Sequence, residues 1–185
     1  MKKLIIIVLS LLSIPYLFGQ KIKYSKSMLH KMEQTEIDIF EPTEGKYTSK
    51  RPRRNDYQKI DHQVYSKEDK IEIRYTIIPY EENNRRTQVP HVEFMRVISS
   101  IAPNEEDTPV TVHTMPPLDL SKHFNADWGS IAYFKPKPSF ANYQHCRFLS
   151  LYGDKRGMIH VFFLFNEPSP ILDDRIYAVR FKKSL

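Results

Sequence analysis

The sequence predicts an α+β domain: an antiparallel β-sheet with helices packed on its faces. Three observations carry this. Cys146–Phe165 holds two β-branched and aromatic runs around a loop bounded by Gly153 and Gly157, the pattern of a β-hairpin. The second run divides into Met158, His160, Phe162, Leu164 and Ile159, Val161, Phe163, Phe165, apolar on both sides except at His160. Such a strand needs cover on both sides, which places it inside a sheet with a layer against each face. Residues 91–102 instead repeat apolar positions at three and four, the period of a helix lying on that sheet. A β-rich cone or barrel with a ligand cavity is the alternative arrangement of the same strands.

Taken in order, the chain opens Met-Lys-Lys, runs apolar from Leu4 to Leu12 and reaches Pro15 and Gly19. A basic start, a short apolar stretch and a small residue before polar sequence predict a signal peptide over residues 1–19. Ser10, Ser13 and Pro15 interrupt the run, which falls short of the roughly 20 residues needed to span a bilayer. Residues 20–185 are then one globular domain, exported to the periplasm or the extracellular space, with no transmembrane segment. Without residues 1–19 the net charge drops from +6 to +4. Cys146 is the single cysteine, so no internal disulfide forms, and its apolar strand predicts a packed thiol.

Residues 21–35 lack periodicity and read as a loose lead-in. Glu36–Phe40 alternates and stops at Pro42, a short strand. Residues 44–55 are polar and turn-rich, and Lys46, Lys50, Arg51, Arg53 and Arg54 load them with positive charge. Tyr57–Tyr65 and Lys70–Ile78 form a hairpin. Its second arm sets Ile71, Ile73, Tyr75 and Ile77 against Glu72, Arg74 and Thr76, the alternation of a half-exposed or edge strand. Pro90 suits a first helical turn, and a helix over His91–Ala102 turns Val92, Phe94, Met95, Ile98 and Ile101 to the sheet. Val110–Met115 is a short strand ended by Pro116-Pro117. Leu118–Phe124 suits two helical turns, closed by Asn125 in a left-handed conformation. Ala126–Phe134 is a strand with Trp128, Ala132 and Phe134 on one side, and Lys135–Pro138 is a stiff exposed connection. Asn166–Asp174 reads as a loop. Ile176–Phe181 reads as a final strand, with a helix from Asp173 as the alternative.

Ile71-Glu72-Ile73-Arg74-Tyr75 with Pro79, Phe124-Asn125-Ala126-Asp127-Trp128 and the hairpin Phe148–Phe165 resemble the PsbP-like family. The likeness covers about two thirds of the chain after the signal peptide. It implies a layered sandwich, an antiparallel sheet between helical layers, and a binding or assembly role. Fold alone carries no function across.

Ser150 and His160 are the candidates for chemistry. If the hairpin loop has an odd number of residues, the two face each other on neighbouring strands. A carboxylate behind the imidazole would then make the hydroxyl a nucleophile; without one, the pair simply satisfies two polar groups in an apolar layer. Gly-x-Ser-x-Gly is absent. His145 and Cys146 point to opposite faces of a strand, so they make no dyad. The histidines lack short ligand spacing, so neither metal nor cofactor is expected. Candidate binding residues are Lys50, Arg51, Arg53 and Arg54, for an anionic partner, and Asp127, Trp128 and Tyr133, for the floor of a ligand groove. Tyr47 and Tyr57 are not interleaved with the basic residues as a nucleic-acid stacking platform requires, so nucleic acid is not expected. The sequence therefore favours a non-catalytic binding or assembly protein of the cell envelope, monomeric or weakly associated, with an unknown protein or anionic surface as partner. A secreted hydrolase using Ser150 and His160 and a carrier of small apolar ligands are the alternatives.

Overall fold

The structure is a computed structural model that describes residues 22–40, 42, 44–52, 54–103 and 109–183. The predicted signal peptide and Arg53 lie outside the described residues.

Ser25 opens α1 (Lys26–Gln34) by accepting a hydrogen bond from the Met28 backbone N–H. This corrects the expected loose lead-in, because the cap and a single buried residue, Met28, suffice where periodicity is weak. The strands that follow are β1 (Ile37–Ile39), β2 (Thr48–Lys50), β3 (His62–Ser66) and β4 (Ile71–Pro79). After α2 (Pro90–Ile101) come β5 (Thr111–Thr114), a short turn α3 (Pro117–Asp119) running into a π-helical turn at Leu120–Phe124, and β6 (Trp128–Phe134). The chain ends with β7 (His145–Gly153), β8 (Gly157–Phe165), α4 (Ile171–Arg175) and β9 (Val179–Phe181). Asn125 takes the left-handed conformation expected of it, at φ 48°.

Seven strands form one antiparallel sheet in the order β2-β3-β4-β8-β7-β6-β5, and β1 pairs with β9 in a separate ribbon. The sheet is open, so the barrel alternative is set aside and the α+β layered arrangement holds. Strand β8 sits at its centre with every residue buried. On one face Ile159, Val161 and Phe163 pack with Ile71, Ile73, Tyr75 and Ile77, under Met28 of α1, Leu172 of α4, Phe124 and the β1–β9 ribbon. On the other face Phe162 and Leu164 pack with Phe148, Ala132 and Cys146, under Phe94, Val97, Ile98 and Ile101 of α2 and under Phe140. The β7–β8 loop is Asp154–Arg156, three residues between the paired Gly153 and Gly157. Gly157 has φ +115°, and a Cβ there would lie 2.2 Å from the Ile78 carbonyl, so only glycine lets β8 reach β4.

Several expectations are corrected. Strand β4 is an interior strand buried on both faces, because Glu72 and Arg74 pair with each other instead of facing water. The expected strand Tyr57–Tyr65 begins only at His62. Upstream, the Asn55 side chain accepts from the Tyr57 and Gln58 backbone N–H groups and holds a turn. A short strand, β2, interrupts the polar stretch 44–55. On α2, Val92 and Met95 are 56% and 49% exposed, and Glu93 and Val97 are buried in their place. Residues 135–138 are only partly exposed: the Lys137 backbone N–H and ammonium donate to the Ile101 and Ser100 carbonyls, tying the segment to the end of α2. Helix α4 replaces part of the expected loop 166–174. Residues 176–178 form a 3-10 turn, so only Val179–Phe181 of the expected last strand is strand.

Candidate functional site

Register brings a line of polar residues together beneath α2. Thr76, His160, Ser150, Ser130 and Thr114 are direct cross-strand partners on β4, β8, β7, β6 and β5. Two of them bond to backbone outside the row: Thr76 Oγ1 donates to the Lys59 carbonyl (2.6 Å) and Ser130 Oγ to the His113 carbonyl (2.9 Å). The three-residue loop thus places Ser150 opposite His160, the register that the sequence left open. A carboxylate is also present, since Glu93 of α2 sits with Oε1 3.9 Å from His160 Nε2.

The geometry falls short of a working triad. At 3.9 Å the Glu93–His160 approach is an ion-pair distance, longer than a hydrogen bond. Among the described residues, neither His160 nitrogen nor Ser150 Oγ has a hydrogen-bond partner. Ser150 and His160 are wholly buried and Glu93 is 1% exposed, so no substrate reaches them. Burial pushes the His160 imidazole below its ordinary pKa and outweighs the opposing pull of Glu93, so the ring is a neutral member of the core. Glu93 faces the same burial penalty, but the Arg96 and Arg86 guanidiniums override it and hold the carboxyl well below the usual carboxylate range. Arg86 and Arg96 each bond to both of its oxygens, over 2.7–3.1 Å. Glu93 was missed in the sequence because it lies inside an apolar repeat. Its signal is the arginine three residues on.

The basic residues form a different site. Lys50, Gln63 and Arg74 are direct cross-strand partners on β2, β3 and β4, on the face that carries α2 further along. There the cover changes from α2 to Arg51, Arg54 and Asn55 and to residues 138–143, leaving a cleft of about 390 Å³. Its rim carries Lys50, Arg51 and Arg54, all exposed. Arg51 and Arg54 have no ion-pair or hydrogen-bond partner among the described residues, and the Lys50 ammonium lies 3.9 Å from the Tyr65 ring centre. Deeper in, Arg74 bonds to Glu72 (Nε, 2.8 Å) and to the Phe140 carbonyl (Nη1, 2.8 Å), and its guanidinium lies over the Phe140 ring. Since Glu72 and Arg74 cancel, the rim leaves three uncompensated positive charges. Gln63, 4% exposed, lines the floor with its amide oxygen buried and unpartnered. Tyr143 donates to Glu72 at 3.4 Å; burial, then the Glu72 charge, pushes its phenol up to about 12, so it remains a donor.

The remaining candidates are dispersed. The Asp127 carboxylate accepts from the Asp154 backbone N–H (2.7 Å) and lies 3.5 Å from Arg156, which fixes the β7–β8 turn. Trp128 packs edge-on against Phe94 under α2. Tyr133 is on the opposite face of β6, against the Arg147 guanidinium in a groove of about 460 Å³. Trp128 and Tyr133 therefore do not line one groove, because five residues along a strand reverse the face. Cys146 is a buried free thiol whose pKa burial pushes up, as expected of a packed cysteine. Among the described residues, no three His, Cys, Asp or Glu side chains cluster to hold a metal, and no helix is long and apolar enough to cross a membrane.

No protein-family model, no curated protein and no solved structure matches this chain.

Proposed function

We propose that this chain is an exported, non-catalytic binding protein of the cell envelope that takes an anionic ligand in the cleft between β2 and residues 138–143. The observation that carries the reading is the pair Arg51 and Arg54, two exposed cations without partners among the described residues at the mouth of a concave polar site. Surface arginines usually lie flat or pair with neighbours; converging on a cleft with a buried floor, they raise the local concentration of anions. A binding role is also what the PsbP-like resemblance implies. The hydrolase alternative has all three of its groups in Ser150, His160 and Glu93, but they are shut away beneath α2.

The test is calorimetric titration of the protein with inorganic phosphate at low ionic strength, repeated with Arg51→Glu/Arg54→Glu. Saturable binding that weakens at least tenfold in the double variant, and also with added salt, is the expected result. Absence of binding, or equal binding by both proteins, overturns the reading.

A further inference from the structure

The seven-stranded sheet ends differently on its two sides. At one edge lies β2, a short strand that contains Lys50 and has Lys46 and Arg51 beside it. Short length and charge are what keep an edge from pairing with another chain. At the other edge lies β5, Thr-Val-His-Thr, exposed along its whole length and free of Lys, Arg, Asp, Glu and Pro. Among the described residues it pairs only with β6. The Met115 N–H donates to the Gly129 carbonyl, so by the alternation of an antiparallel ladder residues 115, 113 and 111 turn their backbone groups toward β6. The N–H and C=O groups of Val112 and Thr114 then point out of the sheet. Val112 stands opposite Ala132 on the face that carries α2, and Val110, two residues back, shares that face. Both valines are exposed.

We propose that β5 is the seam of a homodimer, pairing antiparallel with β5 of a second copy about a two-fold axis at Val112. Opposed residues of an antiparallel pair share a face, and a two-fold perpendicular to the sheet keeps every residue on its own face. Odd-numbered residues therefore meet only odd ones, and even meet even. Centring on Val112 sets it against its own copy, Thr111 against His113 of the second copy, and Val110 against Thr114. Every residue from 110 to 114 is then used. The outward N–H and C=O groups of Val112 bond to those of the second Val112, and those of Thr114 bond to Val110. Each pair contains at least one β-branched side chain, a favourable cross-strand combination. The edge is thus complementary to itself, and it brings no like charges together. A partner recognised by its charge finds nothing on β5 to hold. The dimer is one continuous sheet with both α2 helices on the same side. The basic clefts beside β2 lie at its two far ends, so the seam is independent of the anion site.

Sedimentation velocity over a concentration series tests the seam. A strand edge of this length is far smaller than the roughly 800 Å² per partner of a standard interface, so the expected dissociation constant is on the order of 100 μM. Val112→Lys sets two ammonium groups against each other at the axis, yet keeps an exposed side chain in the monomer, and should weaken the dimer by about tenfold or more. Thr114→Lys takes its place if that variant does not fold. Oxidation supplies the register. Val112→Cys should form a covalent dimer, because paired Cα atoms about 5.5 Å apart lie within disulfide reach. Thr111→Cys should not, because its two copies are diagonal neighbours. Cys146 is buried and does not compete. Dimerisation that Val112→Lys abolishes, with cross-linking confined to Val112→Cys, is the expected result. A protein that stays monomeric well above that constant overturns the proposal. So does a dimer that Val112→Lys leaves intact, or equal cross-linking by the two cysteine variants.

Discussion

A hydroxyl buried without a partner costs more than a methyl group in the same place, and Ser150 is such a hydroxyl. Ser150→Ala is therefore expected to leave stability unchanged or raise it by up to about 1 kcal/mol in urea denaturation. A loss beyond about 1 kcal/mol would reveal a hydrogen bond to His160 that holds the polar row together. The sequence narrowed Ser150 and His160 to a conditional pairing, because loop length decides which residues oppose each other across a hairpin, and the structure supplies the three-residue loop. It left the partner on α2 hidden, since nothing local ties residue 93 to residue 160. Gln63 was likewise unreadable. Its significance comes from register with Lys50 and Arg74 on two other strands, and from a cover supplied by residues 138–143.

At the scale of elements, helix α2 shows how polarity misleads a reading of faces. Val92 and Met95 invited an apolar stripe, yet the helix is rotated so that Glu93 goes in and those two come out. Two bidentate arginines make that rotation tolerable, and a carboxylate in the first turn also suits the helix dipole. Glu93→Ala leaves Arg86 and Arg96 free to return to water, because each is more than 40% exposed. The cost is thus that of lost charged hydrogen bonds, about 2 kcal/mol, and not that of a stranded buried charge. Chemical denaturation of Glu93→Ala measures it; a change under about 0.5 kcal/mol would mean that Phe94, Val97, Ile98 and Ile101 hold the helix unaided. Strand β4 misled in the same way. Its Glu72, Arg74 and Thr76 face read as solvent-facing, whereas cross-pairing and the Phe140 segment bury it. The central hairpin was legible because a run apolar on both sides has one stable location.

Across the whole molecule, several buried groups give stability the same dependence on pH. Burial holds His62, packed against the Tyr24 and Tyr75 rings, down to a pKa of about 4, and it lowers His160 as well. Both are neutral when folded and take up a proton on unfolding below their ordinary value near 6.5. Their contribution is complete above pH 6.5 and is lost on acidification, for His62 until about pH 4. Glu93 adds a loss at lower pH, beginning below its ordinary value of 4.5. The melting temperature should therefore be level from pH 8 to 7 and fall between pH 6.5 and 4, less steeply in His62→Phe. A melting temperature that rises on acidification through that window contradicts the burial of these rings. The layered α+β plan was legible from two periodicities, but the polar end of the sheet was not, because it depends on which segments cover which strands.

The ribbon of β1 and β9 joins Ile37, near the start of the described chain, to Phe181, near its end. Closing a loop of that length costs more chain entropy than closing a hairpin between neighbouring strands. The ribbon is thus the slow clasp of its layer, shut only once the central strands have already paired.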